Sequence, residues 1–166
     1  MGAPAVSCDG LGGAVDRYLA YLRAERRYAP STLDHYGHAL GALAEHAARN
    51  GLTRWRDYRA DQAQSLLAEL HRRHAYAPAT LRGVASAWRS FFRWLAREGE
   101  VGANPAIGLR APRLKRKLPQ VLDTDEMAQL VEVPGDDPEA VRDRALLELL
   151  YSSGLRVAEL CGVRWR

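Results

Sequence analysis

An apolar run through Leu149, Leu150 and Tyr151 ends at Ser152-Ser153-Gly154, and Arg156 and Glu159 follow at i, i+3 spacing. Glycine after an apolar helical run is a stop signal, so one helix ends here and another begins near Arg156. An arginine in a first helical turn sets a planar fork of donors beside the positive end of the helix, and both favour an anion. The fork matches two oxygens of a phosphate, so a rigidly mounted Arg156 could clamp a phosphodiester. The same spacing also suits an ion pair between Arg156 and Glu159 on a solvated helix face, and local physics alone favours that plainer reading.

Charge distribution shifts the balance. Residues 1–117 carry 19 Lys and Arg against 10 Asp and Glu, a net of +9, whereas residues 118–166 carry 5 against 10, a net of −5. The total of +4 therefore conceals a strongly basic first part, and basic charge gathered in one domain points to nucleic acid or another anionic surface. With 166 residues and 47% hydrophobic content, a sizeable core can be buried.

The elements that must position these charges read as helices, with almost no strand signal. Val15, Tyr18, Leu19 and Leu22 recur at helical spacing and predict a helix over 13–27, ended by Pro30. Ser31 is the expected N-cap of a second helix, which buries Leu33, Tyr36, Leu40, Leu43 and Ala47 and closes at Asn50-Gly51. A third starts near Ala60 or Asp61, buries Leu66, Leu67 and Leu70, and runs to about His74. The fourth opens after Pro78, buries Leu81, Val84, Trp88, Phe91, Phe92 and Leu95, and ends near Gly99.

The outer face of this fourth helix repeats Arg82, Ser86, Arg89, Arg93 and Arg97 with no acid until Glu98. A charge run is usually a solvated face, but a helix with one apolar and one arginine face can dock on a core and lie in a DNA major groove. The second and fourth helices also open alike, Tyr28-Ala-Pro-Ser-Thr-Leu33 and Tyr76-Ala-Pro-Ala-Thr-Leu81. That is either a common helix opening or two equivalent helix starts presented to one ligand, with Thr32 and Thr80 suited to phosphate contacts. His35 and His38 point outward on the second helix but are not spaced as a metal pair.

From Asn104-Pro105 to Pro119 the pattern is interrupted, and Arg110, Arg113, Lys115, Arg116 and Lys117 crowd into eight residues. This reads as an extended basic linker able to follow a DNA backbone. Beyond it, Thr124 is the expected cap of a short helix, and a helix over 139–152 is expected to bury Val141, Ala145, Leu146, Leu149 and Leu150. Three amphipathic helices in about 48 residues make an incomplete core, so the chain is expected to stop inside a domain. The resulting division is 10–102, a basic linker 103–120, and 121–166.

Cys8 and Cys161 lie far apart with no metal-site spacing, which fits a reduced setting rather than a disulfide framework. No apolar run reaches the roughly 18 residues that span a bilayer, and no signal-peptide layout opens the chain. A soluble cytoplasmic protein with no membrane partner is expected.

Two further stretches carry a family resemblance. Residues Asp137 to Trp165, with the motif Gly154-Leu-Arg156-Val-Ala-Glu159-Leu160, resemble the start of the catalytic domain of the tyrosine recombinases, the phage integrase family. Tyr28-Ala-Pro-Ser-Thr-Leu-Asp-His-Tyr36, Arg93-Trp-Leu95, Asn104-Pro105 and Leu118-Pro119 resemble that family's core-binding domain and linker. The likeness is greatest to its branch that resolves bacterial chromosome dimers. It implies an all-α, SAM-like four-helix core-binding domain, a linker, and the first helices of a catalytic domain, closing together on double-stranded DNA. It further implies Arg156 as the first catalytic arginine, clamping the scissile phosphate, with Glu159 supporting it.

DNA contacts are expected from Thr32, His35, Thr80, Arg82, Ser86, Arg89, Arg93, Lys115, Arg116 and Lys117. The implied chemistry is tyrosine attack on a phosphate to give a 3′-phosphotyrosyl link. That link conserves the bond energy, so no metal, nucleotide or other cofactor is required. The implied setting is chromosome partition at cell division, at the nucleoid, with a related recombinase subunit in a tetramer on two DNA sites. The nucleophilic tyrosine and the family's other catalytic groups have no motif among these residues, so this chain alone is expected not to cut DNA. A phage or transposon integrase, a non-catalytic DNA-binding module and a helical protein-interaction domain are the competing readings; an arm-binding domain before residue 10 would favour the integrase, and none is expected there.

Overall fold

The computed structural model describes residues 10–73, 75–112, 118 and 121–164. His74, Arg113, Lys115, Arg116, Lys117, Pro119, Trp165 and Cys8, invoked above, lie outside the described residues. All regular structure among the described residues is helical: α1 Leu11–Ala24, α2 Pro30–Arg49, a 3-10 turn Trp55–Asp57, α3 Ala60–Arg73, α4 Pro78–Arg97, α5 Thr124–Val131, α6 Pro138–Ser153 and α7 Val157–Leu160. They fall into two compact units, residues 1–115 and 116–166.

In the first unit α4 is the central element. Leu81, Val84, Trp88, Phe91, Phe92 and Leu95 are all buried, as their helical spacing implied. Trp55 from the 3-10 turn meets Phe91 and Phe92 edge-on at 5.1 and 5.7 Å between ring centroids, the geometry in which a positive ring edge faces a negative ring face. The buried polar atoms of these rings are satisfied: the Trp88 indole N–H donates to the Ala39 carbonyl at 2.7 Å and that of Trp55 to the Leu11 carbonyl at 3.1 Å. These bonds tie α4 to α2 and the 3-10 turn to the start of α1.

The helix starts differ from expectation in an informative way. Ser31 is not the cap of α2; Ala29 is, with Pro30 in the first helical position. The residue before a proline is pushed to extended backbone, and Ala29 and Ala77 both comply, with ψ of 146 and 149°. Proline's fixed φ then begins the helix at once. Helix α1 ends at Ala24 rather than 27, because Arg27 takes φ +50°, and the Tyr28 amide then reaches the Leu22 carbonyl at 3.2 Å.

Residues 103–111 are not an extended linker. Val101, Ala106 and Leu109 are buried in the same core, and Ala111 packs against it. Asn104 builds the turn: its side-chain NH₂ donates to the Arg89 carbonyl and its Oδ1 accepts from the Ala106 amide, both at 2.9 Å. Two small apolar residues in a glycine- and proline-broken stretch carry no periodicity, which is why the sequence pattern hides them.

In the second unit, Asp123 rather than Thr124 caps α5, accepting from the Glu126 amide while Glu126 accepts from the Asp123 amide, the reciprocal capping box. Asp137 caps α6 by accepting from the Glu139 and Ala140 amides. Arg144 donates to the Val133 and Gly135 carbonyls, both at 2.8 Å, pinning the α5–α6 loop. The expected burial of α6 is not observed: Val141, Leu146 and Leu149 are 51, 39 and 37% exposed, and Ala145 is exposed too. Alone among this unit's described residues, Ala140 is buried, since α5 and α7 are too short to cover the sixteen residues of α6.

Candidate nucleic-acid interface

The outer face of α4 carries the arginine stripe, and the structure divides it. Arg82 and Ser86 are exposed and, with Arg89, Arg110 and Pro112, line an open groove of about 1080 Å³ between α4 and the 104–112 turn. Arg89 differs from the rest. Its guanidinium is half-buried and donates to the Ala106 carbonyl at 3.2 Å and to the Leu109 carbonyl at 2.8 Å. Two carbonyls of the 104–112 turn thus hold its fork at the edge of the groove that it lines. Arg110, from the stretch expected to be a linker, lines the groove as well. Its amide donates to Gln64 Oε1 at 3.0 Å and its carbonyl accepts from Gln64 Nε2 at 3.4 Å. No sequence signal links Gln64 to a residue 46 positions on.

Further along α4, Arg93 is exposed and borders a smaller recess with Arg26, Arg97 and Tyr28. Arg97 donates to the Tyr21 hydroxyl at 3.1 Å and lies 5.5 Å from the centre of that ring, a cation–π position. Burial pushes Tyr18 up to about 12 and also raises Tyr36 and Tyr58. Tyr18 donates to Ser90 Oγ at 2.8 Å.

Part of α2 and the start of α4 meet at one recess. His35 and Thr80, both exposed, line one small recess with His38 and Tyr76. The His35 ring lies so close to α4 that a Cβ on Gly83 would sit 2.8 Å from its Nε2. Thr32, in the first turn of α2, is half-buried. Lys115, Arg116 and Lys117 lie outside the described residues.

In the second unit Gly154 closes α6 in the left-handed conformation, φ +64°, which an L side chain disfavours. The chain then turns to Arg156, whose side chain is 85% exposed. Glu159 accepts from the Arg156 amide at 2.8 Å and from its guanidinium at 3.1 Å. The ion pair read from the spacing is present, and an exposed pair of this kind is weak enough to re-partner with a phosphate. With only four residues in α7, the charge of Arg156 rather than the helix end would attract the anion.

A helical unit with a basic outer face, in a chain that also carries a glycine-delivered arginine, has counterparts among known proteins. Residues 15–99 match the family described as phage integrase, N-terminal SAM-like domain, and residues 120–166 match the phage integrase family. The chain belongs to the phage integrase family, the tyrosine recombinases. Its relatives include the tyrosine recombinase XerC of Xanthomonas campestris pv. campestris (strain B100), 46% identical over 158 residues, which are 95% of this chain and 49% of that protein. XerC of Xylella fastidiosa (strain 9a5c) is 45% identical over 151 residues, 91% of this chain and 51% of that one. The chain thus spans about half the length of these relatives. In fold it is similar to a lambda integrase dimer bound to a COC′ core site, with TM-score 0.65, 24% identity, and coverage of 95% of this chain and 42% of that one. The N-terminal domain of a phage integrase/site-specific recombinase from Haloarcula marismortui gives TM-score 0.55 at 22% identity, covering 62% of this chain and 96% of that one. Among the described residues no helix is long and apolar enough to cross a membrane.

Proposed function

We propose that this chain is the DNA-binding part of a XerC-type site-specific recombinase that acts in chromosome dimer resolution at cell division, in the cytoplasm. The observation that carries the reading is the open groove on α4, lined by Arg82, Ser86 and Arg110 on the side away from the aromatic core. Exposed guanidiniums on a rigid helix meet phosphates at fixed spacing, and the lambda integrase neighbour is bound to a COC′ core site. Thr32, His35, Thr80 and Arg93 extend the same surface, and Lys115, Arg116 and Lys117 add charge that tracks the backbone.

Arg156 clamps a non-bridging phosphate oxygen and stabilises the charge that builds there in phosphoryl transfer, with Glu159 positioning it. The attacking tyrosine belongs to the whole recombinase rather than to these residues, and a related subunit in a tetramer completes the assembly. The residues' chemistry calls for no metal or nucleotide.

Fluorescence anisotropy with a labelled mixed-sequence duplex tests the DNA reading. Affinity is expected to fall by orders of magnitude between roughly 50 and 200 mM salt. Salt-independent binding, or none, favours a protein-interaction domain. The 166-residue chain on a nicked suicide substrate is expected to yield no covalent adduct; an adduct would refute the assignment of the nucleophile.

A further inference from the structure

We propose that Arg89 and Gln64 are positioning residues that latch the 104–110 turn and so hold Arg110 on the same groove as Arg82, giving a preset pair of phosphate ligands. The inference rests on the DNA-binding reading above and assigns roles within it. Arg89 is joined to the turn by both its backbone and its side chain: its carbonyl accepts from Asn104, and its guanidinium donates to Ala106 and Leu109. Gln64 then grips the next residue by both its amide and its carbonyl. Ala106 and Leu109, buried between these two grips, anchor the turn in the core. The backbone of Arg110 is therefore held from α3 and, through Leu109, from α4, while its side chain is exposed on the groove.

Holding a cation in place before binding removes the ordering cost that a loose loop would incur on meeting DNA. Arginine is needed at 89 for a geometric reason. Two carbonyls are served by one planar fork, which lysine's single ammonium on a flexible stem does not reproduce. A residue that contacts phosphate and one that only positions another are separable by salt dependence. Losing a contact lowers the slope of log affinity against log salt by ~0.9, whereas losing a latch leaves the charge count and the slope unchanged.

The experiment uses the full chain and a labelled mixed-sequence duplex, with Arg82→Ala, Arg110→Ala, Arg89→Lys, Gln64→Ala and the double variant Gln64→Ala/Arg110→Ala. Arg82→Ala and Arg110→Ala are expected each to lower the slope by ~0.9. Arg89→Lys, despite its retained charge, and Gln64→Ala are expected to weaken binding about fivefold with the slope unchanged. The double variant is expected to bind no more weakly than Arg110→Ala alone. Wild-type affinity in Arg89→Lys, or additive losses in the double variant, would overturn the proposal. Hydrogen exchange of the Arg110 amide reports the latch without DNA and should quicken in Gln64→Ala; an unchanged rate also overturns it. A wild-type chain that fails to bind the duplex overturns the DNA reading and the phosphate role of Arg82 and Arg110, while the exchange rate still judges the latch.

Discussion

The carboxylate of Glu159 bridges the backbone amide and the guanidinium of Arg156, at 2.8 and 3.1 Å. One acid thus sets both where α7 begins and where the arginine side chain lies. The bond to the amide does not depend on the guanidinium, so the arginine side chain stays 85% exposed while its backbone is held. This follows from the turn at Gly154, which starts the next helix three residues before Glu159 can reach back.

Arg156→Ala in this chain should leave helical content by circular dichroism unchanged, since its side chain is 85% exposed. Its effect on duplex affinity should be small, lowering the salt slope by no more than ~0.9. A tenfold loss of helical signal intensity or a collapse of binding would mean that it supports the fold instead.

Replacing Lys115, Arg116 and Lys117 together by glutamine should lower the salt slope by about 2 to 3, one for each lost phosphate contact. An unchanged slope in the anisotropy titration would remove this segment from the interface.

Phe91→Ala removes a fully buried ring that Trp55, Phe92 and Tyr18 pack against. A loss of about 3 to 5 kcal/mol is expected from urea unfolding of the first unit. A loss below about 1 kcal/mol would be incompatible with so closed a site.

Gly83→Ala places a methyl against the His35 ring, whose Nε2 would lie 2.8 Å away. His35 is exposed and can swing out, while alanine in a helix interior is favoured over glycine by about 1 kcal/mol. The melting temperature should therefore hold or rise. If His35 meets DNA from that position, affinity should fall in the same variant, and a fall in melting temperature would show that the ring has no room to move.

His46 is buried, with Nδ1 at 2.9 Å from the Tyr58 hydroxyl. Burial chiefly, and then Arg49, lower its affinity for a proton. Its folded pKa lies below the unfolded value near 6.5, so above that pH both states are neutral and it costs nothing. As the pH falls through about 6.5, the unfolded chain takes up the proton first and stability declines. Melting temperatures compared at pH values either side of this point should show a drop that His46→Gln reduces. An equal drop in the variant would assign it to carboxylates.

The helix count and most of the buried face of α4 were legible in the sequence, because 3.6-residue periodicity is a local property of a helix packed on one side against a core. Arg156 and Glu159 were legible for the same reason: a glycine stop and an i, i+3 spacing are local facts, and the structure shows the pair at hydrogen-bond distance. The starts of α2 and α5 were misplaced by one or two residues, where Pro30 and Asp123 outcompeted a nearby serine and threonine.

What the sequence could not decide was the allocation of charge. Along α4, Arg82, Arg89, Arg93 and Arg97 are alike at their spacing, yet Arg89 faces two carbonyls, Arg97 faces Tyr21, and Arg82 and Arg93 face solvent. The stretch from Asn104 looked like a linker because Gly108 and Pro112 break any period; its Ala106 and Leu109 are buried only because α3 and α4 together make a place for them. Local chemistry determined that this chain is helical, basic in its first part and equipped with an arginine paired to a glutamate three residues on. Which of its cations are offered to a ligand was decided by tertiary contacts between residues as far apart as Gln64 and Arg110, since a guanidinium serves whichever acceptor the folded chain brings within reach.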